Sequence, residues 1–168
     1  MQNKIKKYFK EFIIFIITLT LVMNIISYYN SLDLNKDKLT INNFKLLDDS
    51  NYIVSTDKPL LIHFWATWCP TCKFEAPNIE KISQNYEVIT IAVQSGTNEE
   101  VKKYLDEHNL TFKVVNDEDV FVAQKFNIKA YPSTFIYDEN KNLRFTEVGY
   151  TTTFGLYFRM MFIKYFKK

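Results

Sequence analysis

The only two cysteines of the chain, Cys69 and Cys72, lie three positions apart in the segment W-C-P-T-C. A structural disulfide gains most of its stabilising effect by closing a long loop, whereas this pair can close only a very small ring. A C-x-x-C pair is better suited to exchange, because one thiol can attack a disulfide and the other can resolve the mixed disulfide that forms. The spacing therefore predicts a redox-active dithiol.

The residues around the pair predict how the first sulfur is activated. A short apolar run over 60–66 indicates a buried strand, and 70–84 indicates a helix with Pro70 in its first turn. If Cys69 is the N-cap of that helix, unpaired backbone N–H groups and the helix dipole stabilise its thiolate. Cys69 is then the nucleophile, and Cys72, one turn later, is the resolving thiol.

Metal and haem sites are the chemical alternatives for a cysteine pair. A structural zinc site needs four ligands, but the only histidines are His63 and His108, neither of which has ligand spacing to the cysteines. Attachment of a c-type haem needs histidine directly after the second cysteine, where Lys73 stands. We therefore expect no metal, and no cofactor other than the redox-active Cys69–Cys72 disulfide.

The predicted elements around the pair form an α/β domain. Strands over 60–66 and 87–93 flank the helix over 70–84, and this order predicts a right-handed βαβ unit with parallel strands. Further along the chain we predict a helix over 98–108, a strand over 112–115, a helix over 117–126, and a hairpin of strands over 133–137 and 143–148. The prediction is a central mixed sheet flanked by helices.

A last helix is predicted with Thr152 or Thr153 as its N-cap. We expect one stripe of this helix to pack on the sheet, namely Phe154, Tyr157, Phe158, Met161, Phe162 and Tyr165. Leu156, Met160 and Ile163 widen the apolar surface beyond what one sheet face needs. The helix is therefore also a candidate for contact with a membrane or a partner.

The first thirty residues predict a membrane anchor. Residues 12–29 form an uncharged apolar run that, as a helix, rises about 27 Å, close to the ~30 Å hydrocarbon thickness. The lysine-rich arm over 1–11 should stay cytoplasmic, which sends a polar tether over 30–38 and a domain over 39–168 to the opposite side. A cleaved signal peptide is the alternative, but no small-x-small cleavage site follows the run. The residues between the basic ends carry more acidic than basic side chains, so we expect no nucleic-acid partner.

The segment L-L-I-H-F-W-A-T-W-C-P-T-C-K-F-E-A-P resembles the active-site region of the thioredoxin-like superfamily, in particular its membrane-tethered TlpA/DsbE-like branch. Together with I-A-V-Q-S-G, K-A-Y-P-S-T-F and G-Y-T-T-T-F-G-L-Y-F-R, it is most similar to the ScsD-type protein disulfide oxidoreductases. The resemblance covers residues 40 to 165 approximately. It implies a thioredoxin-like fold preceded by one N-terminal transmembrane helix.

The resemblance also implies roles for single residues. Trp68, Pro70 and Thr71 complete the active-site motif around the cysteines. Pro132 matches the proline that forms a cis peptide bond facing the cysteines, and Tyr131 before it would offer backbone groups to an extended substrate.

Two ionisable residues near the motif have open roles. Glu75 matches an acidic residue that could accept the Cys72 proton, although a solvated charge on a helix is an equal alternative. His63 departs from the buried aspartate of many thioredoxins, and it is either a buried neutral side chain or part of a proton relay.

The resemblance further implies an enzyme of the bacterial inner membrane with its catalytic domain in the periplasm. Tethered members of this branch are kept reduced by a membrane electron donor of DsbD-like type, so the expected substrates are cysteine-containing envelope proteins. One alternative is a thiol reductase of cytochrome c maturation. Another is a non-catalytic binding module or copper chaperone, although Met160 and Met161 lie far from the pair in sequence.

Overall fold

The computed structural model describes residues 2–165, and the side chains of residues 6–165. Met1 and residues 166–168, the two ends of the predicted arm and domain, lie outside the described residues. In chain order the elements are α1 (Gln2–Ser31), β1 (Asn43–Lys45), β2 (Asn51–Ile53), β3 (Leu60–Trp65), α2 (Pro70–Ser83), β4 (Glu87–Val93), α3 (Asn98–Glu107), β5 (Lys113–Asp117), α4 (Phe121–Lys125), β6 (Ser133–Tyr137), β7 (Leu143–Val148) and α5 (Thr153–Tyr165).

The main sheet has five strands in the order β5-β4-β3-β6-β7. Strands β3, β4 and β5 are parallel, whereas β6 runs antiparallel to β3 and pairs with β7 as a hairpin. The central strand β3 is buried along its whole length, as its unbroken apolar sequence requires. This arrangement confirms the predicted mixed sheet and the parallel βαβ unit.

Helices cover both faces of the sheet. Side chains of α2, α3 and α5 share one core cluster with Leu61 and Trp65 of β3. The opposite cluster joins Ile62 and Phe64 of β3 to α4 and to the segment that follows α1. Both cysteines belong to the first cluster, so the dithiol lies on the α2 side of the sheet.

The C-terminal helix α5 packs with a different stripe from the one predicted. Leu156, Met160 and Ile163 are its buried residues, while five members of the predicted stripe face outward: Phe154, Phe158, Met161, Phe162 and Tyr165. The aliphatic stripe meets the first core cluster, with only Tyr157 of the predicted set packed at its margin. The prediction was wrong because the helix is apolar all round, so periodicity alone does not identify its inner face.

Helix α4 is shorter than the predicted helix over 117–126. Asp117 is the last residue of β5, and its carboxylate accepts hydrogen bonds from the backbone N–H groups of Val122 (2.9 Å) and Ala123 (2.8 Å). Val120, directly before the helix, has a left-handed backbone with φ of 64°. The acidic residues 117–119 therefore lie in the strand and turn before α4, and Asp117 caps the first turn of the helix from there.

Helix α1 is continuous from Gln2 to Ser31, so it contains the predicted span over 12–29 and extends beyond it at both ends. Its segment Lys6–Ser31 is long and apolar enough to cross a membrane. The predicted tether packs on the domain, because Leu34 is buried and the Asn35 N–H donates to the Phe126 carbonyl (3.1 Å). The packed unit thus begins before residue 39.

Candidate functional site

The cysteine pair lies where β3 gives way to α2. Cys69 is the N-cap residue of α2, with extended backbone angles, as the sequence predicted. Its sulfur accepts a hydrogen bond from the Cys72 backbone N–H (3.2 Å) and is joined to the Cys72 sulfur in a disulfide. After reduction the Cys69 sulfur would lie at the positive end of the helix, where an anion is stabilised.

The loop before the pair is fixed by neighbouring strands. The Thr67 N–H donates to Ser95 Oγ (3.0 Å), and the Trp68 indole N–H donates to the Gln94 carbonyl (3.0 Å) just after β4. The Trp68 ring also makes an edge-to-face contact with Tyr131 at 5.6 Å between centroids. Trp68 is nonetheless more than half exposed, so it presents an apolar surface beside Cys69.

Pro70 and Thr71 form the first turn of α2 and are exposed. The Tyr131–Pro132 peptide bond before β6 is cis. The Pro132 carbonyl accepts a hydrogen bond from the Gly149 N–H (2.8 Å), which links this turn to the end of β7. The peptide bond before Pro132 is thus cis, as the resemblance implies. Substrate binding by Tyr131 and Pro132 stays a prediction.

Glu75 lies one turn after Cys72 and is completely buried, so its interpretation as a solvated helix charge was wrong. The Thr151 N–H donates to its Oε1 (3.0 Å), and its Oε2 has no hydrogen-bond partner among the described residues. Burial raises the pKa of Glu75 to about 8, and the nearby Glu147 carboxylate adds to the rise. A carboxyl group whose pKa lies near that of a thiol can exchange a proton with a thiol at little cost in free energy.

His63 lies on β3 and is buried on the same side of the sheet as the cysteines, since its neighbours Leu61 and Trp65 belong to their cluster. Its Nδ1 is hydrogen-bonded to Thr134 Oγ1 (2.9 Å). Burial lowers the pKa of His63 to about 3, so the imidazole is neutral at physiological pH. These contacts favour the interpretation as a buried neutral side chain, and a proton relay stays a prediction.

Sequence reasoning missed the polar row to which His63 belongs. His63 is opposite Thr134 in the β3–β6 register, and Thr134 is opposite Glu147 in the β6–β7 register. Glu147 forms an ion pair with Arg159 of α5. Residues paired across a sheet point to the same face, so the alternation of β7 could have indicated that Glu147 faces inward.

Among the side chains of residues 6–165, no group of three or more His, Cys, Asp or Glu is arranged to hold a metal ion. Met160 is buried in the core, and Met161 lies on the outer surface of α5. The soft ligands that a copper chaperone needs beside its cysteines are thus directed elsewhere.

Comparison with known proteins adds a family and several relatives. Residues 33–146 match the AhpC/TSA family. A "Thioredoxin-like protein" of Haemophilus influenzae is 26% identical over 166 residues, which cover 97% of this chain and 99% of that protein. The "Thiol-disulfide oxidoreductase ResA" of Oceanobacillus iheyensis is 32% identical over 88 residues, which cover 49% of this chain and 45% of ResA. The crystal structure of StoA from Bacillus subtilis is similar with a TM-score of 0.63, at 21% identity over 70% of this chain and 93% of StoA.

Proposed function

Since this chain belongs to the AhpC/TSA family of thioredoxin-like proteins, we propose that it is a membrane-anchored thiol-disulfide oxidoreductase that reduces disulfides or oxidised cysteines of envelope proteins. One observation carries the proposal: Cys69 is the N-cap of α2, with its sulfur bonded to the Cys72 N–H and to the Cys72 sulfur. This position has no role in a purely structural bridge, whereas it stabilises a nucleophilic thiolate.

The proposed reaction transfers two electrons from the reduced dithiol to a substrate disulfide. The Cys69 thiolate attacks one substrate sulfur, forming a mixed disulfide and releasing the other substrate sulfur as a thiolate that takes up a proton. Cys72 then loses its proton and attacks the Cys69 sulfur, which releases the second substrate thiolate and leaves the Cys69–Cys72 disulfide. The reaction needs no cofactor beyond this disulfide.

Glu75 is the proposed acceptor of the Cys72 proton. It follows Cys72 by one helical turn, it is buried, and its Oε2 has no hydrogen-bond partner among the described residues. Since its raised pKa of about 8 is close to that of an ordinary thiol, the fraction of Glu75 that is ionised near neutral pH can take the Cys72 proton at little cost in free energy.

Helix α1 supports a proposed location. The span Lys6–Ser31 supports a single-pass anchor in the bacterial inner membrane, with the lysine-rich end in the cytoplasm and the domain in the periplasm. An oxidised dithiol must be reduced again after each turnover, and we propose a membrane electron donor of DsbD-like type for this step. The expected substrates are envelope proteins with accessible cysteines.

The first test is to trap substrates with Cys72→Ala. Without the resolving thiol, mixed disulfides on Cys69 should accumulate and migrate as larger species that dithiothreitol collapses. The matched control is Cys69→Ala, which keeps one thiol but lacks the nucleophile and should trap little. Equal yields of adducts from the two variants, or none from either, would exclude the mechanism.

The direction of electron flow is tested separately, by alkylating thiols in acid-quenched cells. A reductase should be found mainly as the free dithiol. Mainly oxidised Cys69 and Cys72 at steady state would indicate an oxidase. Recovery of apocytochromes among the trapped adducts would assign the protein to cytochrome c maturation.

A further inference from the structure

Helix α5 has a large apolar surface that the domain does not cover. Its inner stripe is buried in the core, and its outer face consists of Phe154, Phe158, Met161 and Tyr165, with Phe162 at the margin against β7. The exposed fractions of these four outer side chains range from 46% for Met161 to 81% for Phe154. Contiguous apolar residues on a soluble surface are uncommon and mark a place where something else binds.

The outer face lies beside the end of the membrane anchor, because α5 and α1 contact the same edge strand. Phe162 of α5 packs edge-to-face on Phe145 of β7, with 6.1 Å between ring centroids. On the same strand, the Val148 N–H donates to Ser27 Oγ in the last turns of α1 (3.0 Å). The bilayer surface where α1 emerges is therefore close to α5.

The charge of this segment favours a lipid surface. From Gly149 to the end of the chain the sequence has no Asp or Glu, but it has Arg159, Lys164, Lys167 and Lys168. Arg159 pairs with Glu147, whereas Lys164 lies in the last turn of α5, over the ring of Tyr165. Aromatic side chains flanked by lysine are typical of helices that lie in the interface of an anionic membrane.

We propose that the outer face of α5 docks on the outer leaflet of the membrane that α1 crosses. The inference rests on the proposed anchoring by α1. Because α1 already holds the domain at the bilayer, docking is an intramolecular event that needs only modest affinity. The domain then has two membrane contacts, one that spans and one that lies flat, and these fix its orientation.

The test measures quenching of tryptophan fluorescence by brominated lipids, with the full chain in nanodiscs of phosphatidylcholine and phosphatidylglycerol. The reporters are Phe154→Trp and Phe158→Trp, both at exposed positions where a larger ring fits. Phe121→Trp is the matched control, since Phe121 is 57% exposed on α4, across the sheet. Leu21→Trp reports on the span itself. Trp65 and Trp68 are present in every variant, and their signal is subtracted using the unsubstituted protein.

If α5 docks, the reporters at positions 154 and 158 should be quenched at least about twofold more strongly than the control at position 121, because an interfacial helix places its apolar face about 5–10 Å into the headgroup region. Quenching of the reporter at position 21, together with values at positions 154 and 158 no greater than at 121, would overturn the docking and leave the anchor intact. That result would assign the outer face to a protein partner or a second copy. Absence of quenching at position 21 would overturn the anchoring and the docking together.

Discussion

Two ionisable side chains, His63 and Glu75, are buried on the same side of the sheet as the cysteines, and burial shifts their pKa values in opposite directions. The pKa of His63 is lowered to about 3. As the pH falls, its imidazole therefore stays neutral in the folded protein but takes up a proton in the unfolded chain. Stability from this residue is lost as the pH falls from about 6.5 towards 3. Glu75 contributes to stability with the opposite pH dependence. Because its pKa is raised, its carboxyl group keeps a proton in the folded protein that it releases in the unfolded chain. Between pH values of about 3 and about 8, both side chains are neutral in the folded protein, which suits their apolar surroundings.

Glu75→Gln should change how stability depends on pH. In the parent protein, stability from Glu75 is fully present below about pH 4.5 and is lost as the pH rises towards and through 8. A glutamine does not titrate. Between pH 5 and pH 9 we therefore expect the free energy of unfolding of the variant to rise relative to that of the parent, by an amount of the order of a few kcal/mol. Urea unfolding of the full chain in mild detergent, followed by tryptophan fluorescence, measures the difference.

Glu80→Gln is the control for this change, because Glu80 lies on the same helix and bonds Thr111 at the surface. Its unfolding curve should keep the pH dependence of the parent. A constant difference between Glu75→Gln and the parent across the pH range would show that folding does not raise the pKa of Glu75, and the carboxylate would then be too weak a base to take the proton of an ordinary thiol readily.

At the level of elements, α5 allows the core face and the outer face to be separated by mutation. Leu156→Ala should lower the free energy of unfolding by about 2–5 kcal/mol, because it leaves a cavity in a completely buried position. Phe158→Ala removes a larger side chain from the outer face and should cost less than about 1 kcal/mol in detergent. Denaturant unfolding monitored by tryptophan fluorescence compares the two, and equal losses would mean that the helix is turned differently on the sheet.

Most elements could be predicted because their sequence patterns are unambiguous. Strand β4 and both strands of the C-terminal hairpin have the predicted bounds, since short apolar runs end at polar turns. Helix α5 could not be oriented, because apolar residues surround it. The start of α4 was misplaced, because acidic residues suit either a first helical turn or a side-chain cap from before the helix, as Asp117 provides.

Some features of the candidate site could likewise be predicted from the sequence, and others could not. Cys69 at the helix start could be predicted from a local motif, whereas the burial of Glu75 depends on the loop at Thr151, which is 76 positions away in sequence. The contact between His63 and Thr134 likewise joins residues 71 positions apart. The second contact is set by the register of β3 and β6, and the first by the packing of the loop after β7 on α2, so no local pattern reports either.

At the scale of the whole molecule, the segment between anchor and domain is held in place. Leu34→Ser should release it, because Leu34 is buried against the domain and the Asn35 backbone is bonded there. We expect trypsin to cleave after Lys36 and Lys38 at least about tenfold faster in this variant, since local opening would need less free energy. Leu32→Ser is the matched control, as Leu32 is exposed, and its cleavage rate should equal that of the parent.

The bond between Ser27 and Val148 has a consequence for which proteins this enzyme can serve. Val148 pairs with Ser133, the residue after Pro132, so the turn with the cis peptide bond lies about 5 Å, the spacing of neighbouring strands, from the point on β7 that bonds α1. The segment that joins α1 to the domain is packed on the domain, so it does not act as a long flexible tether that would carry the two sulfurs away from α1. With α1 spanning the membrane as proposed, the disulfide would reach only those substrate cysteines that come within about one domain diameter of the bilayer.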